Sequence, residues 1–211
     1  MFKNYFFILT CLSLFSSNAK VGLKFSTSIA GGFSSVNLKN KVNGTVEKFD
    51  INKNDPAILF TLNAMIIKNK KSFGLFAGYL GSSVKPKNLK GDSVNNAGSF
   101  VVLGPEFGLQ YKKIGLNAGI GLTFRLPLLK KQVGTVNFQS KKKLALGAFP
   151  FLKASFNLSK GSVFVLAGYN FRPQITFNKE DFPVNHRALV QTEKEKSGSL
   201  FLGAGISFKF N

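Results

Sequence analysis

The sequence predicts an all-β fold: an eight-stranded antiparallel up-and-down barrel that crosses a bilayer with strands, with short turns on one rim and four long loops on the other. The first observation behind this is alternation, clearest from 114 to 128. Ile114, Leu116, Ala118, Ile120, Leu122, Phe124, Leu126 and Leu128 share one parity, and Gly115, Asn117, Gly119, Gly121, Thr123, Arg125 and Pro127 share the other. A period of two puts the sets on opposite faces of a strand. So long an apolar face, backed by one that carries a charge, suits lipid outside and a polar enclosed interior. The second observation is the alternation of tight and long connections, and the third is where the charges fall.

In order, the expected strands are 21–33, 56–68, 72–83, 100–112, 114–128, 144–158, 163–172 and 198–210. The first places Lys24 inward. The second has two largely apolar faces, and Asn63 sets its inward side. Strand 72–83 turns Gly74, Phe76 and Gly78 inward and Tyr79 outward. Strand 100–112 turns Gly104, Glu106 and Gly108 inward and Tyr111 outward. Strand 144–158 carries Phe149, Phe151 and Lys153 on its inner parity, and 163–172 carries Phe164, Gly168 and Arg172 there, with Tyr169 outside. The last strand places Phe201, Gly203, Gly205 and Lys209 inward and Phe208 and Phe210 outward. Most segments reach the roughly 9–11 residues a tilted strand needs to cross.

Connections after the second, fourth and sixth strands are tight (69–71, 113, 159–162), and the others are long (37–55, 84–99, 129–143, 173–197). Outer-membrane barrels have this layout, with turns periplasmic and loops outside. Every acidic residue but Glu106 falls in the long connections, and no charge falls on the outward parity. A Lys or Arg facing lipid at mid-depth would cost about 2–4 kcal/mol.

The chain opens MFKNYFFILTCLSLFSSNAK, with Lys3, an apolar stretch from Phe6 to Phe15 and a small-residue site at Ser17-Asn18-Ala19. This is the layout of a cleaved secretory signal, too short to span as a helix. Residues 1–19 are expected to leave and 20–211 to form one barrel domain. Cys11 leaves with the signal, so no disulfide is expected in the remainder.

The final strand, LFLGAGISFKFN, places Gly205, Phe208 and Phe210 in a Gly-x-x-apolar-x-apolar pattern that resembles the C-terminal signal read by outer-membrane assembly machinery. Asn211 displaces the aromatic from the last position, and Gly203 stands where a polar residue is usual. With the signal segment, the strands and the long loops, the chain resembles the small barrels of the OmpA-transmembrane, OmpX and opacity-protein type. The resemblance covers the whole mature chain and is architectural. It implies an outer-membrane location with the loops exposed, and membership among adhesins, surface antigens, serum-resistance proteins or structural barrels.

Inside, glycines such as Gly104, Gly119 and Gly168 are mixed with phenylalanines such as Phe76, Phe149 and Phe164. Eight strands leave an interior that side chains just fill, so no wide pore is expected. Glu106 is the one inward acid and requires a partner. Counted from the turn ends, Lys153 lies at similar depth, and Arg125 sits higher on the strand between and is expected to reach down. Two readings stand for this cluster: a structural ion pair, or a gate in a narrow anion-preferring path.

Nothing points to an enzyme. His186 is the sole histidine, Ala188 follows it two positions on where His-x-Ser would need a serine, and there is no Gly-x-Ser-x-Gly. Glu180, Asp181 and His186 read as a solvated loop of mixed charge. One histidine and no mature cysteine speak against a metal site, and no cofactor is expected. The net charge of +20 raises nucleic acid as a partner, but the lysines divide between two rims, which suits phosphate-rich headgroups better. Lys130, Lys131, Lys141, Lys142 and Lys143 stand in the third long loop without an acid. On a segment too short to fold alone, they are expected to face water, lipopolysaccharide phosphates or host polyanions. A surface antigen or adhesin-like binder is the function expected; a narrow channel and a purely structural barrel are the alternatives.

Overall fold

The computed structural model describes residues 21–42, 45–48, 55–82, 92–95, 99–190 and 192–210. The expected signal segment lies outside the described residues, as do the side chains of Lys209 and Phe210. The strands, in chain order, are β1 (Val21–Val42), β2 (Thr45–Lys48), β3 (Asp55–Lys68), β4 (Lys71–Ser82), β5 (Ser93–Asn95), β6 (Phe100–Tyr111) and β7 (Ile114–Arg125). They continue with β8 (Leu128–Val133), β9 (Val136–Gln139), β10 (Ala145–Asn157), β11 (Gly161–Phe171), β12 (Ile175–Phe177) and β13 (Glu193–Phe210).

Eight of these, β1, β3, β4, β6, β7, β10, β11 and β13, pair antiparallel in that order, and β13 pairs back onto β1. Closure is what lipid demands, because an open edge would leave N–H and C=O groups with no water to bond. The parity follows the sequence throughout. On β11, Phe164, Leu166, Gly168 and Asn170 are buried, while Val163, Val165, Tyr169 and Phe171 are exposed. Leu75, Leu103, Ile120, Leu152 and Ile206 continue the exposed apolar belt around the other strands. Such a belt belongs in a bilayer, and the chain is an outer-membrane β-barrel. Pro105 and Pro150 face the same belt. The registers of β6 with β7 and of β10 with β11 skip these positions, as expected for residues without an N–H to donate.

Two expected boundaries are corrected. The strand expected over 114–128 ends at Arg125, and Leu128 opens β8. Pro127 cannot donate to a ladder, and apolar alternation runs through it only because β8 resumes the same period. The other correction lies at the seam. β1 and β13 stay paired up to Val42 opposite Glu193, well past the expected ends at 33 and 198. Above the bilayer, pairing needs no apolar face, so this stretch of Lys and Glu gave no alternation to read.

The seam also requires glycine where strands pack against one another. A Cβ added at Gly205 would lie against the Ile29 carbonyl oxygen and 2.6 Å from Ala30 Cα. Backbone on a neighbouring strand cannot turn aside as a side chain would. Gly205→Val is therefore expected to prevent β13 from closing on β1, with loss of the heat-modifiable mobility shift of a folded barrel on gels. Gly31→Ala, where an added Cβ meets nothing within 4 Å, should keep the shift.

Candidate functional site

Two regions concentrate polar chemistry: the barrel interior and the loops above it. At the turn end of the interior, a polar vestibule of about 70 Å³ is bounded by Lys24, Ser26, Gln110, Asn157, Ser162 and Ser207. It ends at Glu106, which is 1% exposed. Lys153 Nζ lies 2.6 Å from Glu106 Oε1, and Asn117 Nδ2 donates to the same oxygen at 2.7 Å. Asn63 Nδ2 donates to Oε2. Three strands thus supply donors to one carboxylate on a fourth.

Arg125 is not in this cluster. Glu106 stands opposite Gly119, and Arg125 is six residues further along β7, about 20 Å at 3.3 Å per residue. That exceeds the reach of a guanidinium, so the expected downward contact is corrected. Arg125 is buried near the loop rim. At that end the Asn170 amide bridges Thr123 Oγ1 (2.9 Å) and Arg172 Nε (2.9 Å), and Arg172 Nη2 donates to Ser199 Oγ at 2.8 Å.

Between these polar ends lies an aromatic plug. Phe76 meets Phe151 edge-on with centroids 4.9 Å apart, and Phe100 lies 5.3 Å from Phe149. Phe164, Phe201, Val102 and Leu80 complete it, all buried. Gly168 makes room for Phe149, whose Cε2 would lie 2.7 Å from a Cβ there. A small cavity beside the plug measures about 20 Å³.

The described part of the loop region holds more secondary structure than its sequence suggests. β8 and β9 form a hairpin whose turn is opened by Gly134 at φ +60°, a left-handed conformation that suits glycine. β5 adds to the other edge of β8. One face of this small sheet carries Leu129 and Phe138, which share an apolar core with Ala145, Ile175, Phe177, Phe182 and Val190. Phe138 meets Phe182 at 5.8 Å and stacks on His186 at 4.9 Å. His186, the sole histidine, therefore packs as part of this cap.

The five loop lysines separate accordingly. Lys130, Lys141 and Lys142 are exposed, and Lys131 is half-buried on the inner face with Leu129 and Phe138. Lys143 has an acid after all: its Nζ lies 2.6 Å from Asp181 Oδ2, and it donates to the Thr176 carbonyl at 2.6 Å. The expectation that loop three lacks a compensating acid is corrected, because the acid comes from loop four. The expectation of a loop too short to fold is answered in the same way, since the hairpin packs on loop four.

No family model matches the sequence, and no curated protein matches it. Solved structures match in shape. The outer membrane protease OmpT from Escherichia coli aligns with a TM-score of 0.55 at 11% identity, over 89% of this chain and 97% of that one. Neisserial surface protein A aligns at 0.47 and 10% identity, over 90% and 99%. Ail of Yersinia pestis, in complex with the heparin analogue sucrose octasulfate, aligns at 0.46 and 14%, over 88% and 99%. At these identities the likeness is one of fold.

Removing the Glu106 charge strands Lys153 in a low-dielectric interior, a change that costs about 3–5 kcal/mol when one partner of a buried pair is lost. Glu106→Gln is expected to lower the thermal unfolding temperature measured in detergent. Glu106→Gln with Lys153→Met should recover part of the loss. An unchanged melting profile for the single variant would remove the pair from the account of stability.

Proposed function

We propose that this protein is a surface binder that takes polyanions on the outer face of its loop cap. One observation carries the reading: Lys130 shares a face of the β8–β9 hairpin with Gln132, Asn137 and Gln139, all exposed, and Lys141 is exposed just past the hairpin's end, while the opposite face packs on an apolar core. Cations and amide donors on a rigid element suit phosphate or sulfate groups, because little order is lost when ligand arrives. Lys142 adds a third exposed cation. The ligand classes are lipopolysaccharide phosphates and sulfated host polysaccharides, and the role is that of an adhesin-like surface protein. We also propose that residues 1–19 are removed on export and that Gly205, Phe208 and Phe210 serve the assembly machinery.

The channel alternative has less support. Among the described residues, an aromatic plug lies between the vestibule and the loop rim, and the interior cavities beside it measure about 70 and 20 Å³, narrow for a hydrated ion. In planar bilayers the purified protein is expected to give no unitary conductance steps; regular steps would restore the channel reading. A purely structural barrel would not need a folded basic cap.

At about 1 kcal/mol per lysine beside an anionic surface, changing Lys130, Lys141 and Lys142 together to Gln should weaken heparin binding on the order of a hundredfold while the barrel still inserts. Wild-type binding should also fall steeply as salt rises, since exposed charges are screened over about 8 Å at physiological ionic strength. Retention on heparin that survives both the substitutions and high salt would place the function elsewhere.

A further inference from the structure

The turn rim carries a feature that loop-borne recognition does not use. Its turns contain Lys68, Lys70, Lys71, Lys112, Lys113 and Lys160 and no acidic residue. Two of these cations converge on one ring. Lys70 Nζ lies 5.4 Å and Lys112 Nζ 5.6 Å from the centroid of Tyr111. The two turns are tied together, because Gln110 N–H donates to the Lys70 carbonyl at 2.7 Å and Gln110 Nε2 to the Lys112 carbonyl at 3.2 Å. Lys112 holds a left-handed φ of +53° at its turn. Tyr111, Lys70 and Lys112 are all exposed.

Below the ring the wall turns apolar at once. Leu109 and Leu116 face outward beside Tyr111, and Phe107 lies deeper and meets Phe73 at a centroid distance of 4.8 Å. The position thus sits on the boundary between headgroup and hydrocarbon, where tyrosine is favoured. An ammonium resting on an aromatic face is held electrostatically by the ring and keeps its outer N–H groups for an anion. A ligand that satisfies both halves must join an anionic head to acyl chains.

We propose that Lys70, Tyr111 and Lys112 form a binding site for the headgroup of an anionic phospholipid in the periplasmic leaflet. The ammonium groups take phosphate oxygens, the tyrosine hydroxyl lies within the headgroup layer, and the acyl chains lie along Leu109, Leu116 and Phe107. Lys160, exposed on the β10–β11 turn, has no ring contact among the described residues and supplies a built-in control for charge alone.

The test is native mass spectrometry of the folded full-length barrel, exchanged into micelles doped with phosphatidylglycerol or phosphatidylcholine, with inorganic phosphate as competitor. Phosphatidylglycerol should remain bound where phosphatidylcholine is stripped. Lys70→Gln and Lys112→Gln should each weaken retention about fivefold, the effect of one lysine at an anionic surface. Tyr111→Leu, which keeps the apolar contact and removes the ring, should weaken it as well. Lys160→Gln should leave it unchanged, and every variant should keep its heat-modifiable shift. Equal retention of the two lipids would overturn the proposal. So would a loss with Lys160→Gln equal to that with Lys70→Gln, which would mean diffuse charge, or displacement of lipid by inorganic phosphate, which would mean a free-anion site.

Discussion

Closing eight strands into a ring in lipid forces two things at once: every backbone group must find a partner along the ladder, and the interior must be filled by whatever points inward. The rest of the molecule follows from that pair of demands. Because β13 returns to β1, the wall has no edge within the bilayer, and outward positions need only be apolar. Because the interior is narrow, bulky and small residues must alternate on neighbouring strands, as Phe149 does beside Gly168 and Phe151 beside Gly119. A polar residue placed inside then has few neighbours to choose from. Glu106 is held by Lys153, Asn117 and Asn63 because those are the groups that its depth and parity supply.

The same narrowness divides the described barrel into a packed apolar middle and two polar ends. Among the described residues the phenylalanines separate the turn-side vestibule from the Arg172–Asn170–Thr123 network above. That packing leaves the two rims as the polar surfaces of the barrel. On the loop side β1 and β13 continue past the membrane, and the hairpin and loop four share a core of their own. The cap is thus a second, smaller hydrophobic unit at the loop end of the barrel, and its apolar residues are turned away from the outer face.

Much of this was legible in the sequence, and the physics says why. Within lipid, apolar alternation is obligatory, so strand parity could be read even on β3, where Asn63 alone marked the inner side. The Glu106–Lys153 contact followed from depth and parity. Arg125 was misplaced because parity gives the face, while depth must be counted residue by residue along the strand. The legibility ends at the rim. Beyond it neither the extension of β1 and β13 nor the β8–β9 hairpin needs apolar alternation facing lipid, and Pro127 hid the break between β7 and β8. The amides that bind Glu106 carried a signal, inward parity at a common level, that charge counting passes over.

Lysine number is accordingly a poor guide to lysine function here. Lys153 neutralises a buried acid, Lys143 ties loop three to loop four through Asp181, Lys70 and Lys112 rest on Tyr111, and Lys130, Lys141 and Lys142 face water. All but the last three are committed to protein partners, most of them distant in sequence. A run such as Lys141-Lys142-Lys143 looks uniform on paper, yet its third member points into the cap while the other two point out. The change comes where the chain leaves the hairpin and joins β10, close beside loop four. What a lysine can recognise is set by whether the fold has already given it an anion or a ring, and in this barrel that is decided at the two rims.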